Sequence, residues 1–364
     1  MPALAGAVRT MTSTPTELTL ELRPRARVDL IDVTRRVAEE AGDFFRRHRQ
    51  ALYCSYHTTA GYLDRSLSAR LGHRRDCLDP YLKLFQELFP AGADYRHDRL
   101  DLRRELSAEQ RAQEPRNADS HLAFIGAGLT SCVTYPNRRD RPVFFVDLDG
   151  TSPAGSRRRQ TTVLGFNRER IVEELFLGVP MSGHPVDSIN LKDARLGLFD
   201  RLHEHLRAHG VARGRVDLAL GTDQRHAGLT VNEYETLLMQ HDLAEVLRYP
   251  FRFMAEKGRH MLADPRAIPE KTIGYAQYDL VRALNRLLDA LNVSESLLER
   301  VLARLIALPA SRFLGMKRSV SLLVSERDGR PTIVQGTYQS PILVQWRKAE
   351  GGERRLRVLL TAFE

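Results

Sequence analysis

One order of elements occurs twice in the 364-residue sequence, and this repetition constrains the fold more than any other feature. In the first half, an amphipathic run over 33–45 predicts a helix, and 51–56 predicts a strand that leads to an Ala-Gly turn. In the second half, the helical period of 196–209 is followed by a strand at 216–220 and again by Ala-Gly. Repetition of this kind predicts two copies of one structural unit.

The ends of the two halves also agree. Each closes with an Arg-Pro turn, an apolar strand and an arginine-rich strand, which together predict an antiparallel meander. The turns are Arg141-Pro142 and Arg330-Pro331, the apolar strands are 143–146 and 341–346, and the arginine-rich strands are 157–164 and 354–360. The Ala-Gly and Arg-Pro pairs lie farther apart in the second copy, which predicts an insertion at about 251–310. Its apolar spacing predicts a helical pair at 278–291 and 294–308.

The fold class predicted from these patterns is α+β, with two tandem domains. A chain of this length is large enough for two hydrophobic cores, because single cores rarely grow beyond roughly 250–300 residues. The segment Gly178 to Pro185 combines glycine, proline and serine, as linkers do. It predicts one domain at 1–183 and a second at 184–364.

Charge and cysteine content limit the classes of function. The formal net charge is +9 and comes mainly from arginine, so the surface attracts anions, whether phosphorylated small molecules or nucleic acid. A solvated basic surface without a specific ligand is the alternative. The three cysteines include no CxxC pair, which argues against a disulfide framework and a cysteine-rich zinc site. We find no export signal or membrane span in the sequence and expect a cytoplasmic protein.

Three histidine motifs of the first half are the candidate functional residues. They are His57-Thr58-Thr59-Ala60, His97-Asp98 and Asn117-Ala118-Asp119-Ser120-His121. Histidine suits both proton transfer near neutral pH and metal ligation, and hydroxyl and amide groups can hold phosphate oxygens. No two of these histidines have the spacing of a helical zinc motif. The residues alone therefore leave open whether the histidines share a site or are separate structural groups.

The order HTTA, HD and NADSHL resembles the YjbQ-like family, also called secondary thiamine-phosphate synthase. The resemblance implies a small α+β domain with antiparallel strands in two sheets. It also implies assembly as a homotrimer with active sites near the subunit contacts. The family pattern further contains an Asn-Glu pair soon after HTT and a Gly-x-Trp-Gln strand near the end.

This chain divides the family pattern between its halves. The first copy has Arg65-Ser66 where Asn-Glu is expected, whereas the second copy retains Asn232-Glu233 and a Gly-Thr-Tyr-Gln sequence ending at Gln339. One hypothesis is a composite site at the interface between copies, with histidines from the first and Glu233 and Gln339 from the second. The other is decay, in which Asn232 only caps a helix and Glu233 only suits its dipole.

The resemblance implies an enzyme that acts on a small phosphorylated metabolite. The family reaction would be condensation of a pyrimidine pyrophosphate with a thiazole phosphate, releasing pyrophosphate. The candidate catalytic residues are His57, His97, His121 and Glu233, of which the three histidines would bind a divalent metal ion or phosphate groups. The candidate substrate-binding residues are Thr58, Thr59, Asn117, Asn232 and Gln339. The alternative is a non-catalytic module that binds anions or nucleic acid and has a decayed active site.

Overall fold

A computed structural model describes residues 14–104, 106–138, 140–152, 155–235, 237–248 and 316–364. The predicted insertion at about 251–310, with its helices at 278–291 and 294–308, lies outside the described residues. We refer to residues 14–166 as the first half and to residues 169–364 as the second half.

The first half contains a four-stranded antiparallel sheet, a smaller sheet beside it, and short helices. Its strands are β1 (Thr16–Leu22), β2 (Asp29–Asp32), β3 (Gln50–Ser55), β4 (Ala60–Leu63), β5 (Leu129–Thr130), β6 (Cys132–Pro136), β7 (Phe144–Asp147), β8 (Thr151–Ser152), β9 (Gly155–Ser156) and β10 (Arg159–Phe166). Its helices are α1 (Val33–Glu40), α2 (Phe44–Arg47), α3 (Arg65–Arg70), α4 (Arg75–Leu88), α5 (Ala108–Gln113) and α6 (Ala118–Gly126).

The second half contains a five-stranded and a three-stranded antiparallel sheet. Its strands are β11 (Glu169–Pro180), β12 (Asp187–Asn190), β13 (Gly214–Leu220), β14 (Ala227–Asn232), β15 (Ser319–Arg327), β16 (Arg330–Val334), β17 (Ser340–Gln345) and β18 (Glu353–Phe363). Its described helices are α7 (Leu198–Ala208) and α8 (Leu243–Arg248), with 3-10 turns at Ala194–Leu196 and Glu350–Gly352 and a π-helical segment at Leu238–Asp242.

The two halves share one strand order. The larger sheets are ordered β1-β10-β3-β6 and β11-β18-β13-β15, and β16 extends the second of them. The smaller sheets are ordered β2-β7-β4 and β12-β17-β14, and β5 extends the first. Seven strands of the first half therefore have a counterpart in the second, whereas β5, β8, β9 and β16 have none.

The closing segments do not form the predicted meander. In each half the apolar strand, β7 or β17, joins the smaller sheet, whereas the arginine-rich strand after it, β10 or β18, belongs to the larger sheet. In the first half the separate β8-β9 pair lies between β7 and β10 in the chain. The predicted Ala-Gly turns are wrong as well, because both pairs lie in strands, β4 and β14. A Cβ on Gly61 would lie 2.5 Å from the Thr130 carbonyl oxygen, so this glycine permits close strand packing and does not form a turn.

Helices α1 and α7 are stabilised by a capping side chain and by a buried apolar face, respectively. The Asp32 side chain accepts a hydrogen bond from the backbone N–H of Arg35 and caps α1, although the predicted helix breaks after Glu40 and resumes as α2. In α7, Leu198, Leu202 and Leu206 recur every four residues and are buried. Among the described helices, none has the length and apolar character needed to cross a membrane.

The halves pack against each other through an apolar cluster between their larger sheets. Phe166 at the end of β10 stacks on Phe363 at the end of β18, with ring centroids 3.8 Å apart and planes at 8°. Leu52 and Leu164 of the first half and Leu323 of the second complete the contact. Burial of these apolar side chains holds the two halves together.

The chain passes from one larger sheet to the other between β10 and β11, at residues 167–168. Composition predicts the boundary later, at 183/184. The segment Gly178 to Pro185 instead includes the end of β11, an edge strand that pairs with β18 along its length, and the turn that follows it. An edge strand tolerates glycine and proline because one of its sides makes no ladder hydrogen bonds.

Replacement of Phe166 by alanine is expected to lower the free energy of unfolding by about 3–5 kcal/mol, because the side chain is fully buried between the sheets. Chemical denaturation measures this change. Phe176→Ala provides the control, since that ring is 70% exposed on β11 and its loss should change stability by less than about 0.5 kcal/mol. Equal effects of the two substitutions would contradict the packing described.

Candidate functional site

Residues from both halves meet in one cluster of possible metal ligands. His97 lies in the segment between α4 and α5, His121 lies on α6, and Glu233 directly follows β14. One ligand atom from each of the three lies within 4.8 Å of the other two. The Nε2 atom of His121 is 3.6 Å from a carboxylate oxygen of Glu233, and the two imidazole centroids are 5.1 Å apart. Both histidines are buried, while Glu233 is partly exposed.

Hydrogen bonds from the second half fix the ring of His121. Its Nδ1 lies 2.7 Å from the Asn232 side-chain oxygen, which also accepts the backbone N–H of Glu233. The amide nitrogen of Asn232 donates to the Thr58 carbonyl at 3.2 Å, so the oxygen of this amide faces the imidazole. Nδ1 of His121 must therefore carry the proton in this contact, which leaves the Nε2 lone pair for a ligand.

His97 is held in the same manner. Its Nδ1 lies 2.9 Å from the Asp98 carboxylate, and that carboxylate also accepts the backbone N–H of Ala118. The backbone N–H groups of Arg96 and His97 donate to Asp242, at 3.0 and 2.9 Å. The Nε2 atom of His97 is buried and has no hydrogen-bond partner among the described residues. An orphaned ring nitrogen of this kind is available to a metal ion.

The surroundings shift the pKa values of the three residues. Burial lowers the pKa of His121 to about 3, with the charge of His97 contributing, so its ring is neutral at neutral pH. Burial disfavours the charged form of His97, but the hydrogen bond and charge of Asp98 outweigh it, and the pKa of His97 is raised. Burial raises the pKa of Glu233, against the opposing charges of His97 and Arg103.

A buried arginine joins the carboxylates around the cluster. The guanidinium of Arg103 lies 2.7 Å from Glu114, 3.5 Å from Glu233 and 3.8 Å from Glu235. Arg103 is only 1% exposed, so these interactions are weakly screened by water. Arg103 belongs to none of the sequence motifs, because its partners are distant in sequence and its own neighbours form no recognisable pattern.

His57 does not join the other two histidines in the described cluster. Its Nε2 accepts a hydrogen bond from the backbone N–H of Gln160 at 2.8 Å, at the start of β10. Burial, with the charges of Arg159 and Arg157, lowers the pKa of His57 to about 3. The third residue grouped with His97 and His121 among the described residues is Glu233 and not His57. The reason is that a neighbouring strand supplies the donor for the His57 ring.

The predicted hydrogen-bonding residues mostly bind the protein itself. The Thr59 hydroxyl accepts from Arg159 at 3.4 Å, and Thr58 contributes its carbonyl to Asn232. The amide nitrogen of Asn117 donates to Asp149 at 2.7 Å, while its amide oxygen is buried without a partner among the described residues. These contacts hold the segments that carry His57 and His121.

Gln339 fastens the loop after β16 to the end of β3. Its side-chain nitrogen donates to the carbonyls of Ser55 and His57, at 3.0 and 2.9 Å, and its side-chain oxygen accepts the N–H of Gly336 at 3.0 Å. Both ends of the amide are engaged, so Gln339 is placed to position the loop and not to contact a ligand directly. The Gly-Thr-Tyr-Gln motif is thus a clamp between the halves.

Replacement of Gly336 by alanine is expected to lower the free energy of unfolding by about 1–3 kcal/mol. A Cβ at this position would lie 1.9 Å from the Tyr56 carbonyl oxygen, so the loop must move away from β3. Thermal denaturation monitors the loss. Gly183→Ala is the control, because its Cβ would meet no heavy atom within 4 Å, and an equal loss in both variants would argue against the clamp.

Arginines near α6 are neutralised by aspartates. The pairs are Arg27 with Asp119, Arg157 with Asp149 and Arg159 with Asp147, at 2.7, 3.1 and 2.7 Å. Burial raises the pKa of Asp119 to about 6, although the charge of Arg27 opposes this. Matched charges of this kind do not make a basic patch for a large polyanion.

No protein-family model matches the chain, and no curated protein matches it. Several solved structures match part of the chain. They include a YbjQ-like protein of unknown function from Sulfolobus solfataricus, with 14% identity, a TM-score of 0.28, and coverage of 54% of this chain and 99% of that one. A hypothetical protein from Aeropyrum pernix has 17% identity, a TM-score of 0.26, and coverage of 52% and 98%.

A third match is an uncharacterised conserved protein of the YjbQ/UPF0047 family from Clostridium acetobutylicum. Its identity is 13% and its TM-score 0.26, with coverage of 51% of this chain and 98% of that one. This is the family that the motif order of the chain resembles. Identities and TM-scores of this size transfer no residue role, substrate or assembly.

Proposed function

We propose that the chain is a tandem duplication of a YjbQ-like domain whose two copies build one composite metal site. The equal strand order of the two halves supports duplication, because each larger and each smaller sheet repeats the same neighbours. We place the boundary between copies at 167–168, between β10 and β11. His97 and His121 then come from the first copy and Glu233 from the second.

The observation that carries the metal proposal is the grouping of His97, His121 and Glu233 within 4.8 Å. Two imidazole nitrogens and a carboxylate are a common ligand set for Zn²⁺ and for Fe²⁺ with open coordination positions. Asp98 and Asn232 act as outer partners that fix which ring nitrogen is free, as in known histidine–metal sites. The donor set therefore fits a divalent transition metal.

We propose that the site serves an enzyme acting on a small phosphorylated metabolite. A bound divalent ion would supply electrostatic stabilisation of negative charge on phosphate oxygens. Glu233 is the most exposed member of the cluster, so a ligand reaches it from that side. Neutral His121 and the fixed Asn232 orient the site, and burial excludes water from all but this approach. Condensation with release of pyrophosphate is the reaction that the family resemblance favours.

A nucleic-acid-binding role has less support. The arginines near α6 are already paired with aspartates, and these pairs lower the positive potential that would hold a polyanion. Assembly as a homotrimer and a cytoplasmic location remain predictions from the sequence.

The metal proposal is tested by titrating the chelator-treated full chain with Co²⁺ and recording visible absorption. We expect one ion per chain, with a spectrum that depends on histidine coordination. Absence of binding, or binding that survives intact in His121→Ala, would refute the site. Pyrophosphate release from a pyrimidine pyrophosphate and a thiazole phosphate then tests the reaction, and equal rates in the parent chain and His121→Ala would refute a role of the cluster in it.

A further inference from the structure

A cleft lies at the contact between the halves. It has a volume of about 450 Å³, within the range of small-molecule sites. Its walls include Tyr56, His57 and Gln160 of the first half and Gln335, Gly336 and Tyr338 of the second. His57 lines the cleft, and the carbonyl of the next residue, Thr58, accepts the hydrogen bond of Asn232 that orients His121.

Two uncharged donors are available at this cleft. The Nε2 atom of His57 accepts the Gln160 N–H, so the neutral ring carries its proton on Nδ1 and can donate from there. The side-chain nitrogen of Gln335 is buried and has no acceptor among the described residues. Buried amide donors in native proteins are almost always satisfied, so this one is free to donate to an acceptor on a ligand.

The lining of the cleft is compatible with an anion. No aspartate or glutamate lines it in the described part of the chain, and its one arginine there, Arg327, pairs with Glu17 at 3.0 Å. Tyr338 is 70% exposed and presents an aromatic ring at the same wall.

We propose that this cleft binds the phosphate or pyrophosphate group of a small organic ligand through His57 Nδ1 and the Gln335 amide. The Tyr338 ring packs against the planar part of the ligand. Gln339 and Gly336 hold the second-half wall against Tyr56 and so set the width of the cleft. The inference deepens the proposed function and rests on it for the link to the metal cluster, while binding of the anion itself needs no metal.

Calorimetric titration of the chelator-treated full chain with pyrophosphate tests the inference. We expect one pyrophosphate per chain. Gln335→Glu keeps the side-chain shape but replaces the donor with a negative charge, and should weaken binding at least about tenfold. Gln113→Glu, exposed at the end of α5, makes the same charge change elsewhere and should leave binding unaltered. His57→Phe should weaken binding about tenfold, with exposed His184→Phe as its control.

The results separate this inference from the proposed metal site. Failure of the full chain to bind pyrophosphate, or equal binding by Gln335→Glu and Gln113→Glu, would overturn the cleft proposal even if Co²⁺ binds. Pyrophosphate binding that persists in His121→Ala and is lost in Gln335→Glu supports the cleft proposal even if Co²⁺ does not bind. Melting temperatures of the variants confirm that each is folded when titrated.

Discussion

Glu233→Gln is expected to weaken Co²⁺ binding at least about 100-fold, because the substitution removes the anionic ligand while preserving side-chain shape. The result would distinguish a composite site from decay of the second half. In a composite site Glu233 is a metal ligand next to His97 and His121. Under the decay hypothesis Glu233 only interacts favourably with the dipole of the helix that follows. Competition with a chromophoric chelator measures the affinity.

The matched control is Glu174→Gln, an exposed carboxylate on β11 that pairs with Arg357. It changes the net charge equally and should leave Co²⁺ affinity as it is. His209→Ala serves the same purpose for the histidine variants, since His209 lies on the surface beside Glu173. Co²⁺ binding by Glu233→Gln at the parent affinity would favour the decay hypothesis.

Arg103→Met is expected to lower the free energy of unfolding by about 3–5 kcal/mol, since it leaves buried carboxylates without their partner. Glu114, Glu233 and Glu235 all lie within 4 Å of the Arg103 guanidinium. Methionine retains much of the apolar stem of arginine, so the decrease in the free energy of unfolding reflects the lost charge and not a lost side-chain volume. Chemical denaturation of the full chain measures it.

An exposed ion pair provides the comparison. Arg99→Met removes the ion pair of Arg99 with Asp94 at the surface and should lower the free energy of unfolding by less than about 1 kcal/mol. Addition of Glu114→Gln to Arg103→Met should recover part of the stability, because it removes the closest unpaired carboxylate. Equal costs for the two single arginine variants would contradict the role given to burial.

Short patterns in the sequence predict His97, His121, Asn232 and Glu233 as candidate site residues. The structure brings these residues of the two halves close together, with His121 hydrogen-bonded to Asn232. Arg103 was not identified. Its role depends on carboxylates from separate segments, and no local spacing encodes a contact that exists only after packing.

Periodicity predicted many helices and strands but not the sheets to which the strands belong. The strands now seen as β7 and β17 were identified from their apolar residues, and the meander was wrong because alternate strands enter different sheets. Such pairing depends on contacts between distant segments, whereas periodicity reports only which face of one segment is buried. The boundary that we propose at 167–168 depends on pairing in the same way, because β11 is defined by its partner β18.

The sequence by itself determined the twofold repetition of elements, the basic charge and the histidine motifs, because each is a property of neighbouring residues. Only the tertiary structure decided that Glu233 and not His57 lies beside His97 and His121. The reason is physical. The backbone N–H of Gln160 in the adjacent strand donates to Nε2 of His57, while Asn232 bonds to His121 and the next residue, Glu233, lies 3.6 Å from the His121 ring nitrogen. Hydrogen bonds between segments far apart in the chain select the members of the site.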